Sequence, residues 1–298
     1  MKILFRSDAS TTIGTGHIMR DLVLAKQYSK HKIYFATLNL EDHLKEKIKR
    51  QRYEVVELKS NNIIEIIRVI KMLNIDLLII DNYDISYEDE KRIKAKNNNL
   101  KILSFDDTYQ KHYCDILLNH NIYADKNKYK KLVPEFCEIR CGSQYTLLRE
   151  EFYEAKALPK NKNSNFTFFL AMGGSDTANL NISILEVLEK FHSIKVNVVT
   201  TSTNAKLDTL KKYCKKKDWI DLHIDIDSIA MLMHKSDFGI ITPSVIANEA
   251  YFMEMPFMAI QTAYNQIEMA NFLIKKDYCV LKEFSKDLLS KKILDVIN

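Results

Sequence analysis

The 298-residue chain has no apolar run of membrane-spanning length. Its opening Met1-Lys2-Ile3-Leu4-Phe5 is hydrophobic but stops at Arg6, so it reads as a strand and not as a secretory leader. The expectation is a cytoplasmic protein with no membrane partner. Cysteine is scarce and scattered: Cys114, Cys137, Cys141, Cys214 and Cys279 form an odd set without a CxxC pair and without a histidine at ligand spacing. That pattern argues against structural zinc and against a disulfide framework, and it leaves packed, reduced thiols. Nor is there a carboxylate cluster of magnesium type. The tempting pair Asp106-Asp107 ends a strand, where turn residues are expected. Charge of one sign is also lacking, since 44 basic groups face 39 acidic ones. An excess so small and dispersed gives no nucleic-acid footprint, and the lysine runs at 211–212 and 215–217 read as solvated ends. Internal repeats and low-complexity tracts are missing too.

What is present is an alternation of apolar strands with amphipathic helices, the signature of parallel sheets with helical crossovers. Strands are expected at 2–6, 32–36, 76–80, 101–105, 115–119 and 137–142. A helix from 18 to about 29 turns Ile18, Leu22 and Ala25 inward, and one from about 62 to 73 turns Ile63, Ile67, Ile70 and Leu73 inward. A polar stretch, Leu158-Pro159-Lys160-Asn161-Lys162-Asn163-Ser164-Asn165, then interrupts the pattern and reads as a linker. Beyond it the plan restarts, with strands at 166–170, 195–199, 238–241 and 256–260. Helices follow near 179–190, with Ile182, Leu185 and Leu188 inward, near 206–214 and near 244–253. The fold class is therefore α/β, two Rossmann-like doubly wound domains facing a cleft. Residues 1–157 form the catalytic domain, 158–165 the linker and 166–298 the nucleotide-binding domain.

Three segments carry chemistry. Ile13-Gly14-Thr15-Gly16-His17 is a glycine-punctuated turn from the first strand into a helix, which places a titratable base at the carboxyl edge of a sheet. Gly14-x-Gly16 lacks the third glycine of a dinucleotide fingerprint, and no Gly-Lys-Ser/Thr follows, so neither a nicotinamide site nor a Walker site fits. Met172-Gly173-Gly174-Ser175-Asp176 lets backbone approach a ligand closely and reads as a diphosphate cradle or, more plainly, as a Gly-Gly turn with helix caps. In Thr242-Pro243-Ser244-Val245-Ile246-Ala247-Asn248-Glu249, the carboxylate of Glu249 sits among apolar neighbours and needs a hydrogen-bonding task, which vicinal ribose hydroxyls would supply. Gln266, after a buried strand, either reaches phosphate or sugar or caps the next helix.

Gly14-Thr15-Gly16-His17, Asp81-Asn82-Tyr83, Phe105-Asp106-Asp107, Met172-Gly173-Gly174-Ser175-Asp176 and Ser244-Val245-Ile246-Ala247-Asn248-Glu249-Ala250 stand in this order along the chain. In that order and spacing they resemble the UDP-sugar hydrolases of pseudaminic acid biosynthesis. Those enzymes are themselves similar to the metal-independent GT-B glycosyltransferase that makes the peptidoglycan lipid intermediate. The resemblance spans nearly the whole chain, including Leu147-Leu148-Arg149-Glu150-Glu151-Phe152, although the tail after about Asp277 is longer than expected and Glu283 to Asn298 reads as a terminal helix. It implies a monomeric hydrolase of UDP-2,4-diacetamido-2,4,6-trideoxy-β-L-altropyranose that needs neither metal nor cofactor. It also implies His17 and Tyr83 as catalytic residues and Gly14, Gly16, Gly173, Gly174, Ser175, Asn248, Glu249 and Gln266 as substrate contacts. The chemistry agrees: UDP is a good leaving group, so one base on the opposite face suffices, and histidine, with an ordinary pKa near about 6.5, suits the task. Two other readings share these residues: a UDP-sugar glycosyltransferase, and a non-catalytic nucleotide-sugar module that would have no need of His17.

Overall fold

The computed structural model describes residues 1–8, 16–160, 164–226 and 228–297. The chain forms two compact units, Met1–Leu147 and Leu148–Asn298. In the first, the elements run β1 (Lys2–Ser7), α1 (Gly16–Gln27), β2 (Lys32–Thr37), α2 (Asp42–Arg50), β3 (Glu54–Glu57), α3 (Ile63–Leu73), β4 (Leu77–Asp81), α4 (Tyr87–Lys96), β5 (Lys101–Phe105), β6 (Ile116–Asn119) and β7 (Glu138–Cys141). The second continues with α5 (Glu150–Lys156), β8 (Phe166–Ala171), α6 (Asn181–Leu188), β9 (Ile194–Thr200), α7 (Leu207–Cys214), β10 (Ile220–Ile224), α8 (Ala230–His234), β11 (Phe238–Ile241), α9 (Val245–Phe252), β12 (Phe257–Ile260), α10 (Ile267–Lys275), β13 (Cys279–Leu281) and α11 (Lys286–Ile297).

The first sheet has seven strands in the order β3-β2-β1-β4-β5-β6-β7, and the second has six in the order β10-β9-β8-β11-β12-β13. Every pairing in both is parallel. In each sheet the winding reverses next to its first strand, between β1 and β4 and between β8 and β11. Open α/β sheets bind ligands outside the carboxyl ends of strands at such a reversal. The register sets Ser7 beside Asp81 at one reversal and Ala171 beside Ile241 at the other.

Strand alternation divides the first unit's core into two layers. Ile3, Phe5 and Ile79 pack with Ile18, Leu22 and Ala25 of α1 on one face. Leu4, Leu78 and Ile80 pack with Ile66, Val69 and Ile70 of α3 on the other. On α1 the expected inward residues are the buried ones. On α3 the buried stripe is Ile66, Val69 and Ile70, while Ile63, Ile67 and Leu73 flank it half-buried. Apolar residues cover most of that helix, so periodicity alone does not single out its central line.

The units divide ahead of the polar stretch 158–165, because α5 is held by the second unit. Phe152 is fully buried, the Lys156 Nζ donates to the Phe252 carbonyl at 2.6 Å and pairs with Glu254 at 2.8 Å, and the Tyr153 ring meets that of Phe252 at 4.8 Å. Residues 161–163 of that stretch lie outside the described residues. The terminal helix expected over 283–298 is α11, which buries Leu289 and Ile293 in the second core.

One buried ion pair braces the connection from β5 to β6. Glu90 of α4 is fully buried, accepting from Ser104 Oγ at 2.6 Å and His112 Nδ1 at 2.8 Å; His112 Nε2 lies 3.9 Å from Asp106. Burial alone would lower the His112 pKa, but Asp106 and Glu90 together raise it to about 9. A histidine bound more tightly by protons in the folded state stabilises fully below its ordinary value and loses that contribution as pH rises through the folded value. His112→Gln should therefore cost on the order of 3 kcal/mol at pH about 6. The deficit should shrink as pH rises from about 6.5 and level off above about 9, measured as urea midpoints across a pH series. A deficit constant with pH would contradict the pairing.

Candidate active site

At the reversal in the first sheet, three side chains converge. His17 opens α1 and Asp81 ends β4, so the fold brings them together from 64 residues apart, with Nδ1 2.6 Å from Oδ1. Arg20, one turn along α1, donates from Nε to Asp81 Oδ2 at 2.6 Å and from Nη2 to Oδ1. This fork on a carboxylate is the strong, directional form of an ion pair. Burial would raise the Asp81 pKa, but Arg20 and His17 outweigh it and hold the group far below the usual carboxylate range. An ionised carboxylate only accepts, so the Nδ1 of His17 carries the proton and its Nε2 is left as the acceptor. Asp21, next on α1, is pushed well above the ordinary range, first by burial and then by Asp81, so negative charge concentrates on Asp81.

Tyr83 follows two residues after β4 and is 52% exposed. Its ring stands edge-on to His17 at 5.2 Å, and its hydroxyl donates to Asp107 Oδ2 at 2.7 Å. The same Asp107 oxygen lies 3.6 Å from Arg20 Nη1, which ties both residues into one network. The Arg20 guanidinium also rests over the Phe105 ring at 5.0 Å, and His120 meets that ring edge-on. Burial and Arg20 lower His120 to about 3, so it stays neutral beside the cation. An added Cβ at Gly16 would meet no described protein atom within 4 Å. Gly14 lies outside the described residues.

The expected roles thus gather His17 and Tyr83, and the structure adds Asp81, Arg20 and Asp107. The i,i+3 spacing of His17 and Arg20 on one helix face was the available signal for Arg20. Asp107 holds the Tyr83 hydroxyl, whereas Asp106 serves its own turn, accepting from the Thr108 and Gln110 N–H groups and from the Tyr129 hydroxyl.

The second reversal is built from backbone. Gly173 takes a φ of +81°, open to glycine without strain. A Cβ on Gly174 would lie 2.9 Å from Thr201 Cγ2, and the Gly174 carbonyl accepts from Thr200 Oγ1, Thr201 Oγ1 and Thr201 N. Asp176 caps α6 with both oxygens, taking the N–H groups of Leu180 at 2.9 Å and Asn181 at 3.0 Å. Those donors are therefore claimed by a carboxylate, and the expected help of the α6 dipole to a diphosphate is offset. At the adjacent turn, Ser244 Oγ pairs with Thr242 Oγ1 at 2.9 Å and does not cap α9.

Glu249 sits on α9, beside the buried Asn248. Its Oε1 is 3.6 Å from Arg149 Nη2, and Arg149 Nη1 also pairs with Glu151 at 2.6 Å. Burial raises Glu249, Arg149 lowers it and Glu151 raises it again, leaving it at about 7. Gln266 is engaged within its own loop: its Oε1 accepts from the Thr262 and Ala263 N–H groups at 2.8 and 3.2 Å, and its Nε2 donates to Thr262 Oγ1. Among the described residues no group of three or more His, Cys, Asp or Glu side chains is arranged to hold a metal ion, and no helix is long and apolar enough to cross a membrane. The five cysteines are free.

Two doubly wound units, each a parallel sheet with interleaved helices, define the class of GT-B-like folds. MurG of Acinetobacter baumannii superposes with a TM-score of 0.64 at 12% identity, over 100% of this chain and 91% of that one. HepE of Anabaena, solved in complex with UDP-glucose, gives 0.61 at 13% identity, over 100% and 90%. No sequence-family profile matches the chain. The UDP-2,4-diacetamido-2,4,6-trideoxy-β-L-altropyranose hydrolase of Campylobacter jejuni is 48% identical over 279 residues, 93% of this chain and 98% of that protein. The chain belongs to this hydrolase family.

Nitrogen NMR of the His17 ring reads its tautomer directly. Wild type should show the proton on Nδ1 and a free acceptor at Nε2, and Asp81→Asn, whose amide can donate to Nδ1, should move the proton to Nε2. An Nε2–H tautomer in the wild-type enzyme would break the assignment.

Proposed function

We propose that the protein hydrolyses UDP-2,4-diacetamido-2,4,6-trideoxy-β-L-altropyranose, releasing UDP and the free sugar as a step of pseudaminic acid biosynthesis. It acts as a monomer in the cytoplasm. Water attacks the anomeric carbon with inversion. The observation that carries the reading is the His17–Asp81 pair, which leaves Nε2 as a base, in a chain 48% identical to the Campylobacter hydrolase.

The roles divide between the units. Nε2 of His17 takes a proton from the attacking water, and Asp81 steadies the imidazolium that forms, as the carboxylate does in hydrolytic triads. Tyr83, fixed through Asp107, orients the water or the sugar. The leaving diphosphate meets backbone N–H groups at Gly173, Gly174 and Ser175 and the start of α9, which stabilise charge as it builds. Glu249 accepts from the ribose hydroxyls. Asn248 and Gln266 support the helix and the loop beside these contacts, Gln266 by holding the Thr262 and Ala263 backbone in place. Because UDP departs readily, no second carboxylate is required as a general acid.

The test is UDP release from this sugar nucleotide with chelator present and no acceptor added. Steady turnover is expected; release only when an acceptor alcohol is supplied would instead establish a glycosyltransferase. His17→Ala should lower kcat by roughly 10²–10⁴-fold and leave UDP affinity nearly unchanged. Loss of UDP binding in that variant would make His17 a ligand contact and overturn its role as base.

A further inference from the structure

Arg149 precedes α5, far in sequence from the nucleotide residues, and the reading above gives it no task. Its guanidinium is mostly buried, lying between two carboxylates, Glu151 at 2.6 Å and Glu249 at 3.6 Å. It is further held over the Phe152 ring at 5.2 Å, and Phe152 is itself fully buried. Among the described residues, the charged groups that face Glu249 are these two from the head of α5, one of each sign. A single cation thus serves two largely buried acids. A carboxylate that accepts hydrogens from two vicinal hydroxyls must be ionised, since the protonated form turns one oxygen into a donor.

We propose that Arg149 is a positioning residue for ribose recognition: it keeps Glu249 ionised and oriented, while Glu151 competes for the same cation and opposes it. The inference rests on the reading of Glu249 as the ribose acceptor. Its consequence is that the ribose part of nucleotide affinity switches on as pH rises through about 7, where Glu249 gives up its proton. The two α5 residues set that midpoint from opposite sides. Arg149 acts through Glu249, so groups elsewhere on the nucleotide should not register its loss.

Calorimetric titrations with UDP and with 2′,3′-dideoxy-UDP between pH 5.5 and about 9 separate the ribose hydroxyls from the diphosphate, whose own protonation cancels in the ratio of the two affinities. Wild type should prefer UDP by roughly 10- to 100-fold at the alkaline end and lose most of that preference at the acid end. Arg149→Met should move the midpoint upward by about one to three pH units and leave dideoxy-UDP binding unchanged; Arg149→Lys should restore part of the shift. Glu151→Gln should move the midpoint down. An Arg149→Met enzyme with the wild-type ratio and midpoint, or one that loses both ligands together, would overturn the proposal. Glu249→Gln distinguishes the underlying reading: it should abolish the preference at every pH, and if it does not, the ribose assignment of Glu249 fails and Arg149 with it. Should Arg149→Met not fold, an unmoved midpoint in Glu151→Gln overturns the proposal by itself.

Discussion

The carboxylate of Asp81 is the group on which the first unit's site depends. A buried ionised carboxylate costs several kcal/mol unless it is paired and hydrogen-bonded, and Arg20 and His17 meet that cost together. The dependence is mutual. Without Asp81, the guanidinium of Arg20 would keep only its longer contact to Asp107, and the imidazole of His17 would have no reason to keep its proton on one nitrogen. Because Arg20 also leans on Phe105 and approaches Asp107, the same carboxylate indirectly fixes the hydroxyl of Tyr83. A core charge and a surface-reaching tyrosine are thereby one mechanical system.

The second unit reaches its site by different means. There the chain offers backbone at Gly173, whose positive φ favours glycine, and at Gly174, where a side chain would strike Thr201, and a single acid on the following turn's helix. A base must be aimed by side-chain partners because its chemistry depends on one ring nitrogen. A diphosphate cradle needs only donors in the right place, and a tight turn fixes those without spending side chains. Parallel winding supplies the same kind of location twice, at the reversal of strand order, and under the proposed function the residues placed there make one reversal reactive and the other receptive.

Much of this was legible in the chain. The apolar strands announce themselves, since a parallel strand buried on both faces is nearly all apolar, and so does the Gly173-Gly174 turn. His17 and Glu249 stand out as polar groups in places that demand a reason. What escapes a linear reading is pairing at long range. Asp81 lies within a conspicuous Asp81-Asn82-Tyr83 stretch, yet its partnership with residues 61 and 64 positions earlier exists only in the folded sheet. Short edge strands such as β3 and β13 leave too little pattern to detect, and the charged sequence of α4 hides its one buried acid, Glu90. Asp176 caps the helix after its Gly-Gly turn as its place in the sequence suggests, while Gln266, which reads as a ligand group or a cap, is engaged by local backbone N–H groups. Composition marks a polar stretch near 160, but it cannot tell that α5 before it is captured by the unit that follows.

The capture of α5 bears on how such a protein can be recombined in evolution or by design. The natural joint for exchanging the second unit is Leu147/Leu148, not the polar stretch that looks like a seam. A chimera spliced at that apparent seam would join a foreign α5 to α8 and α9, presenting Glu249 with a different set of neighbouring charges. The two halves are modular, but the second begins one helix earlier than its sequence suggests.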